Sequence, residues 1–245
     1  MRYVTDEASA EARRDEGDTV TTRVTIGPDF GCEALEQRVL RFAPGRSGRH
    51  GGSGREELLF AVAGSGSIAV NGAEHGLAPE TAILVPPQAT YEVVNPGPDE
   101  LVLVSVLGLE PGDAGEGPAP VPVRVADQPA HPAGRDREFR YVANEEVGCR
   151  TVTQFVGSIP PGRALPHYHT YEEVAYILEG EGVLHMGGES STVRAGSCIH
   201  FPPREPHILE NVGSGTLRVL GVFHPAGDPS MAYNVPEAQE EEESV

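Results

Sequence analysis

Four potential metal ligands lie in the second half of the chain, and their spacing constrains the fold more than any other feature. They are His167, His169, Glu173 and His207. The first three are separated by even numbers of residues, so on an extended strand their side chains can point to the same face. His207 must come from a different strand. Three imidazoles and one carboxylate that converge from two strands suit a divalent transition metal and leave one or two coordination positions open.

Glycine and proline residues around these ligands complete two motifs. The pattern G-x4/5-H-x-H-x3/4-E-x6-G is matched by Gly162, His167, His169, Glu173 and Gly180. The pattern G-x5-P-x-G-x2-H-x3-N is matched by Gly196, Pro202, His207 and Asn211, with Arg204 in place of one glycine. Both motifs resemble those of the cupin family, whose members are small antiparallel β-barrels. The resemblance implies that the four ligands hold the metal and that Glu173 is also catalytic.

The arrangement occurs twice in the chain. A shift of 116 residues aligns Glu57 with Glu173, and a shift of 117 aligns His50 with His167. Such an internal repeat predicts an all-β protein with two tandem cupin barrels of the jelly-roll, or double-stranded β-helix, type. The expected divisions are an acidic N-terminal segment at 1–19, a first barrel at 20–109, a linker at 110–136, a second barrel at 137–228 and an acidic tail at 229–245. We expect the barrels to pack as a pair, and the N-terminal segment either to wander or to add a strand.

The first copy of the motif has lost two of its four ligands. His50 and Glu57 remain, but Gly52 and Tyr91 stand where the second and third histidines would be. Two ligands rarely hold a metal against water. We therefore expect one metal per chain, with the first barrel as a scaffold. An open alternative is that the first barrel binds a ligand without the help of a metal.

Composition excludes several functions. The net charge of −19 repels phosphate backbones and anionic membrane surfaces, so neither nucleic acid nor a membrane is an expected partner. All 18 basic residues are arginine, which excludes mechanisms that need an enzyme lysine. Cys32, Cys149 and Cys198 form no zinc or redox motif, and no apolar signal region opens the chain. These features favour a reducing cytoplasm, with a homodimer as one option for assembly.

Strand parity also predicts the surroundings of the metal. The expected apolar pocket wall consists of Phe155, Ile159, Leu165, Ala175, Ile177, Leu209 and Phe223. Candidates for moving a proton are Tyr168, Tyr171 and Tyr176, and the nearest arginines in sequence are Arg163 and Arg194. Glu172 should face away from the site and tolerate alanine. His200 should be surface-lying or half-buried.

Three functions remain compatible with these residues. The first is a metal-dependent dioxygenase that acts on a small enolic or phenolic substrate chelated to the metal. The second is a non-redox isomerase, lyase or hydrolase, in which the metal polarises a carbonyl group. The third is a small-molecule-binding cupin without turnover. Fe(II) is the first candidate for the metal, and Mn, Ni, Cu and Zn are alternatives, since ligand type alone does not select among them.

Overall fold

In the computed structural model the chain folds almost entirely into β-strands, which form two barrels. The structure describes residues 2–111, 120–133 and 136–234. The predicted all-β chain of two tandem cupin barrels is confirmed. Helical segments in these ranges are short 3-10 turns at Glu7–Ser9, Pro28–Phe30, Val125–Asp127 and Glu145–Val147. No helix among the described residues is long and apolar enough to cross a membrane.

The first barrel consists of a six-stranded and a five-stranded sheet. Its own strands are β2 (Val20–Ile26), β3 (Leu35–Phe42), β4 (Gly45–Arg46), β5 (His50–Gly51), β6 (Glu57–Ala63), β7 (Gly66–Val70), β8 (Ala73–Leu77), β9 (Thr81–Val85), β10 (Thr90–Asn95) and β11 (Leu101–Gly108). Alternating apolar side chains, among them Leu59, Ile68 and Leu103, meet in the barrel interior.

The second barrel repeats this architecture with a seven-stranded and a five-stranded sheet. Its own strands are β13 (His131–Pro132), β14 (Glu138–Ala143), β15 (Thr153–Ile159), β16 (His167–Tyr168), β17 (Glu172–Glu179), β18 (Glu181–Met186), β19 (Glu189–Arg194), β20 (Ser197–Phe201), β21 (His207–Asn211), β22 (Leu217–His224) and β23 (Tyr233–Asn234). Ile177, Leu184 and Leu217 belong to its interior core.

Each barrel receives one short strand from the segment that precedes the other barrel. β1 (Val4–Asp6) lies before the first barrel, yet it pairs with β20 of the second. β12 (Val123–Arg124) lies before the second barrel and pairs with β9 of the first. Of the two alternatives for the N-terminal segment, the structure therefore has the added strand. Because both additions cover a sheet edge of the other barrel, the barrels are joined by reciprocal exchange.

A shared apolar core lies between the two large sheets. It combines first-barrel residues such as Ile26, Leu58 and Val104 with second-barrel residues such as Val156 and Val222. This core agrees with the expected pairing of two barrels in one chain. The two barrel interiors form separate hydrophobic cores of their own.

Candidate metal centre

The structure brings the three predicted histidines together inside the second barrel. His167 on β16 is the direct cross-strand partner of His207 on β21, and His169 follows two residues after His167. The ring centroids of His167 and His169 lie 4.6 and 4.7 Å from that of His207. One ring nitrogen from each histidine falls within 4.8 Å of the others. Such spacing allows all three to ligate a single ion.

Glu173 on β17 lies beside this group and contacts one of its members, although it is not among the residues whose ligand atoms all lie within 4.8 Å of one another. Its Oε2 lies 3.3 Å from Nδ1 of His169, and the residue is only 5% exposed. Burial raises the pKa of Glu173 to about 8, because a carboxylate loses its hydration in the barrel interior. Glu173 is thus a buried acid whose charge a metal ion held by the histidines would offset.

Hydrogen bonds orient two of the histidines for metal binding. Nδ1 of His167 lies 3.2 Å from the carbonyl oxygen of Leu165, and Nδ1 of His207 lies 2.9 Å from that of Glu205. A carbonyl oxygen can only accept, so Nδ1 carries the proton and Nε2 keeps a free lone pair. This is the usual way in which a histidine ligand is fixed from behind.

One buried polar atom in the site lacks a hydrogen-bond partner within the described part of the chain, and all three imidazoles are neutral. His169 Nδ1 is buried and has no hydrogen-bond partner among the described residues. Burial, together with the neighbouring imidazoles, lowers the pKa of His169 to about 2, and burial lowers the pKa of His207 to about 3. The imidazoles are therefore neutral, which is the form that binds metals. Three neutral imidazoles and one buried carboxylate fit a divalent transition metal.

A glycine makes room for the carboxylate. Gly221 on β22 lies beneath Glu173, and a Cβ atom there would come within 2.8 Å of Glu173 Oε1 and 2.4 Å of Phe155 Cζ. In the first barrel the equivalent position is Ser105, whose hydroxyl donates to Glu57 at 2.6 Å. Glycine at this position therefore leaves the carboxylate of Glu173 free for a metal.

Substitution of Gly221 tests this role. Gly221→Ala should weaken metal binding by about tenfold or more, since the added methyl group displaces Glu173 or the Phe155 ring. Gly215→Ala is the matched control, because a Cβ at Gly215 meets nothing within 4 Å. Both variants would be titrated with metal in parallel. Equal affinities would show that the space above Gly221 is unimportant.

Aromatic rings surround the four polar groups. Tyr171 stacks on His169 with centroids 4.6 Å apart and on Phe223 at 4.2 Å. The ring of Phe201 lies 4.5 Å from that of His207. The predicted wall residue Leu165 is instead 60% exposed, because it lies in the loop before β16, where strand parity does not apply. The surroundings of the site are therefore largely aromatic.

The tyrosines and arginines named from sequence lie in different places. Tyr171 contacts the site, whereas Tyr176 packs in the core between the barrels and Tyr168 stacks on Tyr233. Arg163 and Arg194 are exposed, as expected.

The arginine that acts on the site is Arg137, which sequence reasoning missed. Its guanidinium donates to the carbonyl oxygen of Leu209 at 3.0 Å. Its charge helps to lower the pKa values of His167 and His207, although burial is the larger cause for both. Arg137 lies just before β14, far in sequence from the motif, so no local pattern could have found it.

The equivalent site in the first barrel is filled by protein hydrogen bonds. Glu57 accepts from the Tyr91 hydroxyl at 3.2 Å and from Ser105, and His50 lies 3.1 Å from Asp18 rather than beside Glu57. A cavity of about 90 Å³ in this barrel is lined in part by His50, Glu57 and Tyr91. Among the described residues, neither His50 nor Glu57 belongs to a group of three potential ligands.

Substitutions in this barrel should affect stability and spare turnover. His50→Ala and Tyr91→Phe each remove a partner of a buried carboxylate, so each should lower the free energy of unfolding by about 1–3 kcal/mol. Activity per bound metal should stay essentially unchanged. Denaturant unfolding and metal-normalised assays would be run beside His207→Ala. This prediction would be contradicted if a metal-loaded His50→Ala protein lost its activity as completely as His207→Ala does.

Glu172 and His200 correct two predictions. Glu172 does face away from the metal site, but it is 7% exposed and bonded across the barrel interface, so it is not expected to tolerate alanine. His200 is fully buried, and its Nε2 lies 2.8 Å from Glu172 Oε1. Strand parity gave the direction of the Glu172 side chain correctly, but it could not reveal that the first barrel covers that face.

The chain belongs to the cupin domain family. The family's model matches it twice, at residues 38–107 and 155–223. An uncharacterized protein of Methanocaldococcus jannaschii is 41% identical over 69 residues, which cover 27% of this chain and 55% of that protein. The oxalate-binding protein of Thermotoga maritima is 39% identical over 67 residues, covering 26% and 55%. The chain thus spans little more than half the length of these relatives.

Solved structures extend the similarity to the whole fold. Oxalate decarboxylase of Lactobacillus farciminis, in its formate complex, superposes with a TM-score of 0.76 at 13% identity, covering 96% of this chain and 89% of that chain. At this identity the likeness concerns the fold alone. The family match makes the chain a cupin, and the histidine group gives its second barrel a candidate metal centre.

Proposed function

We propose that the second barrel holds one divalent transition metal per chain through His167, His169, Glu173 and His207. The observation that supports this most directly is the grouping of three histidine nitrogens within 4.8 Å of one another beside the buried Glu173, whereas in the first barrel the equivalent carboxylate accepts hydrogen bonds from Tyr91 and Ser105. A buried, unpaired carboxylate is costly, and a cation removes that cost. Fe(II) remains the first candidate, with Mn, Ni, Cu and Zn as alternatives.

We further propose that the chain is a dioxygenase for a small enolic or phenolic substrate. A bound metal would supply Lewis acidity and a route for electron transfer between substrate and dioxygen. The aromatic wall of Tyr171, Phe201 and Phe223 would exclude water and pack against a planar substrate. Arg137 would favour the ionised form of the substrate, since it is the cation whose field reaches the histidines.

The test combines metal analysis with oxygen consumption. Protein purified without oxygen should contain one metal per chain, and it should consume dioxygen with at least one compound from an enolic and phenolic panel. Two metals per chain, or loading that survives in His207→Ala, would contradict the assigned ligands. Full metal loading without oxygen uptake on any compound would remove the dioxygenase and leave the metal centre.

One observation favours a second candidate. The Thermotoga relative is an oxalate-binding protein, and oxalate chelates metals through two oxygen atoms as enolic substrates do. The chain would then bind a small dicarboxylate, with or without decarboxylating it. Oxalate should in that case displace water from the metal and bind with micromolar to millimolar affinity, which calorimetry would detect. Carbon dioxide release without net oxygen uptake would identify the non-redox lyase.

The remaining proposals concern the cellular compartment, the binding partner and the oligomeric state of the protein. Cys32, Cys149 and Cys198 are all free thiols, which supports our proposal of a reducing cytoplasm. A small molecule is the proposed partner, and the net charge of −19 disfavours nucleic acid and anionic membranes. Homodimer formation remains a proposal that light scattering on the purified protein would test.

A further inference from the structure

Two glutamates join the barrels in a reciprocal manner. The carboxylate of Glu172 accepts the backbone N–H groups of Glu33 at 3.0 Å and Ala34 at 2.6 Å, both from the first barrel. In return, Glu56 accepts backbone N–H groups from residues 150 and 151 of the second barrel at 2.8 and 2.9 Å. The internal repeat carries residues 33 and 34 onto 150 and 151. Each barrel therefore places one carboxylate in an equivalent turn of the other.

Both carboxylates are buried and well satisfied. Glu172 is 7% and Glu56 is 3% exposed. His200 completes the partners of Glu172, and the hydroxyl of Thr151 completes those of Glu56 at 2.6 Å. Hydrogen bonds to an ionised group are about twice as strong as neutral ones, and burial keeps water from competing. These contacts are therefore fixed points of the interface.

Each of these glutamates directly precedes a glutamate in a barrel interior. Glu172 is followed by Glu173, and Glu56 is followed by Glu57. Successive side chains on a strand point to opposite faces, so one carboxylate of each pair faces the interface and the other faces the cavity. A carboxylate that is held at the interface also holds the backbone of the next residue, and the carboxylate in the barrel interior projects from that backbone. In the second barrel that inner carboxylate is Glu173 of the histidine group.

We propose that Glu172 is a positioning residue for the metal centre, held in place by the backbone of the first barrel at Glu33 and Ala34. The first barrel then contributes to metal affinity without contributing a ligand. This inference rests on the proposed function, because it takes Glu173 as a ligand. It gives the first barrel, whose motif is incomplete, a defined role in the metal centre of the second barrel.

A competing interpretation is that Cys32, Glu172 and His200 themselves hold a metal, since their donor atoms lie within 4.8 Å of one another. The hydrogen bonds favour positioning. The Glu172 carboxylate already accepts two backbone N–H groups and His200. The Cys32 thiol hydrogen-bonds to the same carboxylate, and burial raises its pKa, which keeps it protonated. The experiment separates the two interpretations.

Cobalt(II) titration of the metal-free full-length protein provides the test. Glu172→Gln is compared with Glu56→Gln, the matched control that removes the equivalent charge from the same interface beside the barrel without the histidine group. Both should lose similar thermal stability. Only Glu172→Gln should bind Co(II) about tenfold or more weakly and show an altered ligand-field spectrum. His200→Leu, which copies Leu84 of the first barrel, should shift affinity in the same direction and serves if Glu172→Gln does not fold.

The outcomes distinguish this inference from the function on which it rests. Equal Co(II) affinities and spectra in the two glutamine variants would overturn the positioning role while the metal centre stands. A thiolate-to-cobalt absorption band that disappears in Cys32→Ser would overturn it in favour of a second metal site. Failure of the unmodified protein to bind Co(II), or unchanged binding in Glu173→Ala, would overturn the proposed metal centre together with this inference.

Discussion

Glu173→Ala is expected to abolish turnover and to reduce metal binding strongly while leaving the fold intact. The side chain lines the barrel cavity and makes no hydrogen bond to the backbone that the strands depend on. Its removal leaves three neutral imidazoles and no charge to offset a divalent cation. Metal content and activity of the purified variant would be measured together with its circular dichroism spectrum.

The same carboxylate should give the metal-free protein a distinctive dependence on pH. The pKa of Glu173 lies near 8 in the folded state against 4.5 for an ordinary glutamate. An acid with a raised folded pKa favours folding while it is protonated, so the metal-free protein should lose stability as pH rises from about 4.5 through about 8. The loss is on the order of 5 kcal/mol. Glu173→Ala should lack this slope.

Glu57→Ala is the matched control for both measurements. Glu57 occupies the equivalent position in the first barrel, where Tyr91 and Ser105 already donate to it. This variant should lose stability and keep its metal and activity. An inactive Glu57→Ala beside an active Glu173→Ala would place the chemistry in the first barrel and refute the assignment.

Expression of residues 137–245 alone should give an unstable or insoluble product. The fragment would expose its side of the shared core, including Val156, Val174 and Val222, and would leave the edge of β20 uncovered. Each fully buried aliphatic side chain is worth about 1.5–3 kcal/mol, so exposure of several exceeds the stability of a typical domain. Size-exclusion chromatography and thermal melting would report the result.

Coexpression of residues 1–136 with 137–245 is the control. The two fragments together contain both exchanged strands and both glutamate contacts, so they should copurify and melt cooperatively. A second half that stays soluble, monomeric and as heat-stable as the whole chain would show that the pairing is not needed.

The fold and the grouping of the three histidines could be predicted because their signals are local. The motifs and their repeat indicate the two barrels and the histidine group. The expected common face on one strand is wrong, because His167 lies on β16 and Glu173 on β17, in different sheets. The sequence also shows that Tyr91 stands where the first copy of the motif would need its third histidine.

Contacts between distant segments could not be predicted in this way. Glu172 meets Ala34, which lies 138 residues earlier, and no periodicity connects the two. Gly221 lies in a strand whose sequence gives no sign of its role, which depends on Glu173 and Phe155 filling the space above it. Arg137 is separated from the motif by two strands, β14 and β15. In each case tertiary packing, rather than the neighbouring sequence, decides the role.

The exchanged strands also set the order in which the chain can mature on the ribosome. β12 is synthesised after its partner strand β9. In contrast, β1 cannot pair until β20 has been synthesised, because Val4 pairs with Ile199. Contacts so distant in sequence form late and slowly. Until β20 is synthesised, the first barrel carries an uncovered apolar face and an unpaired leading strand, which are the features that promote aggregation of nascent chains. We therefore expect yield during biosynthesis to depend on chaperone supply and translation speed more than the stability of the finished protein suggests.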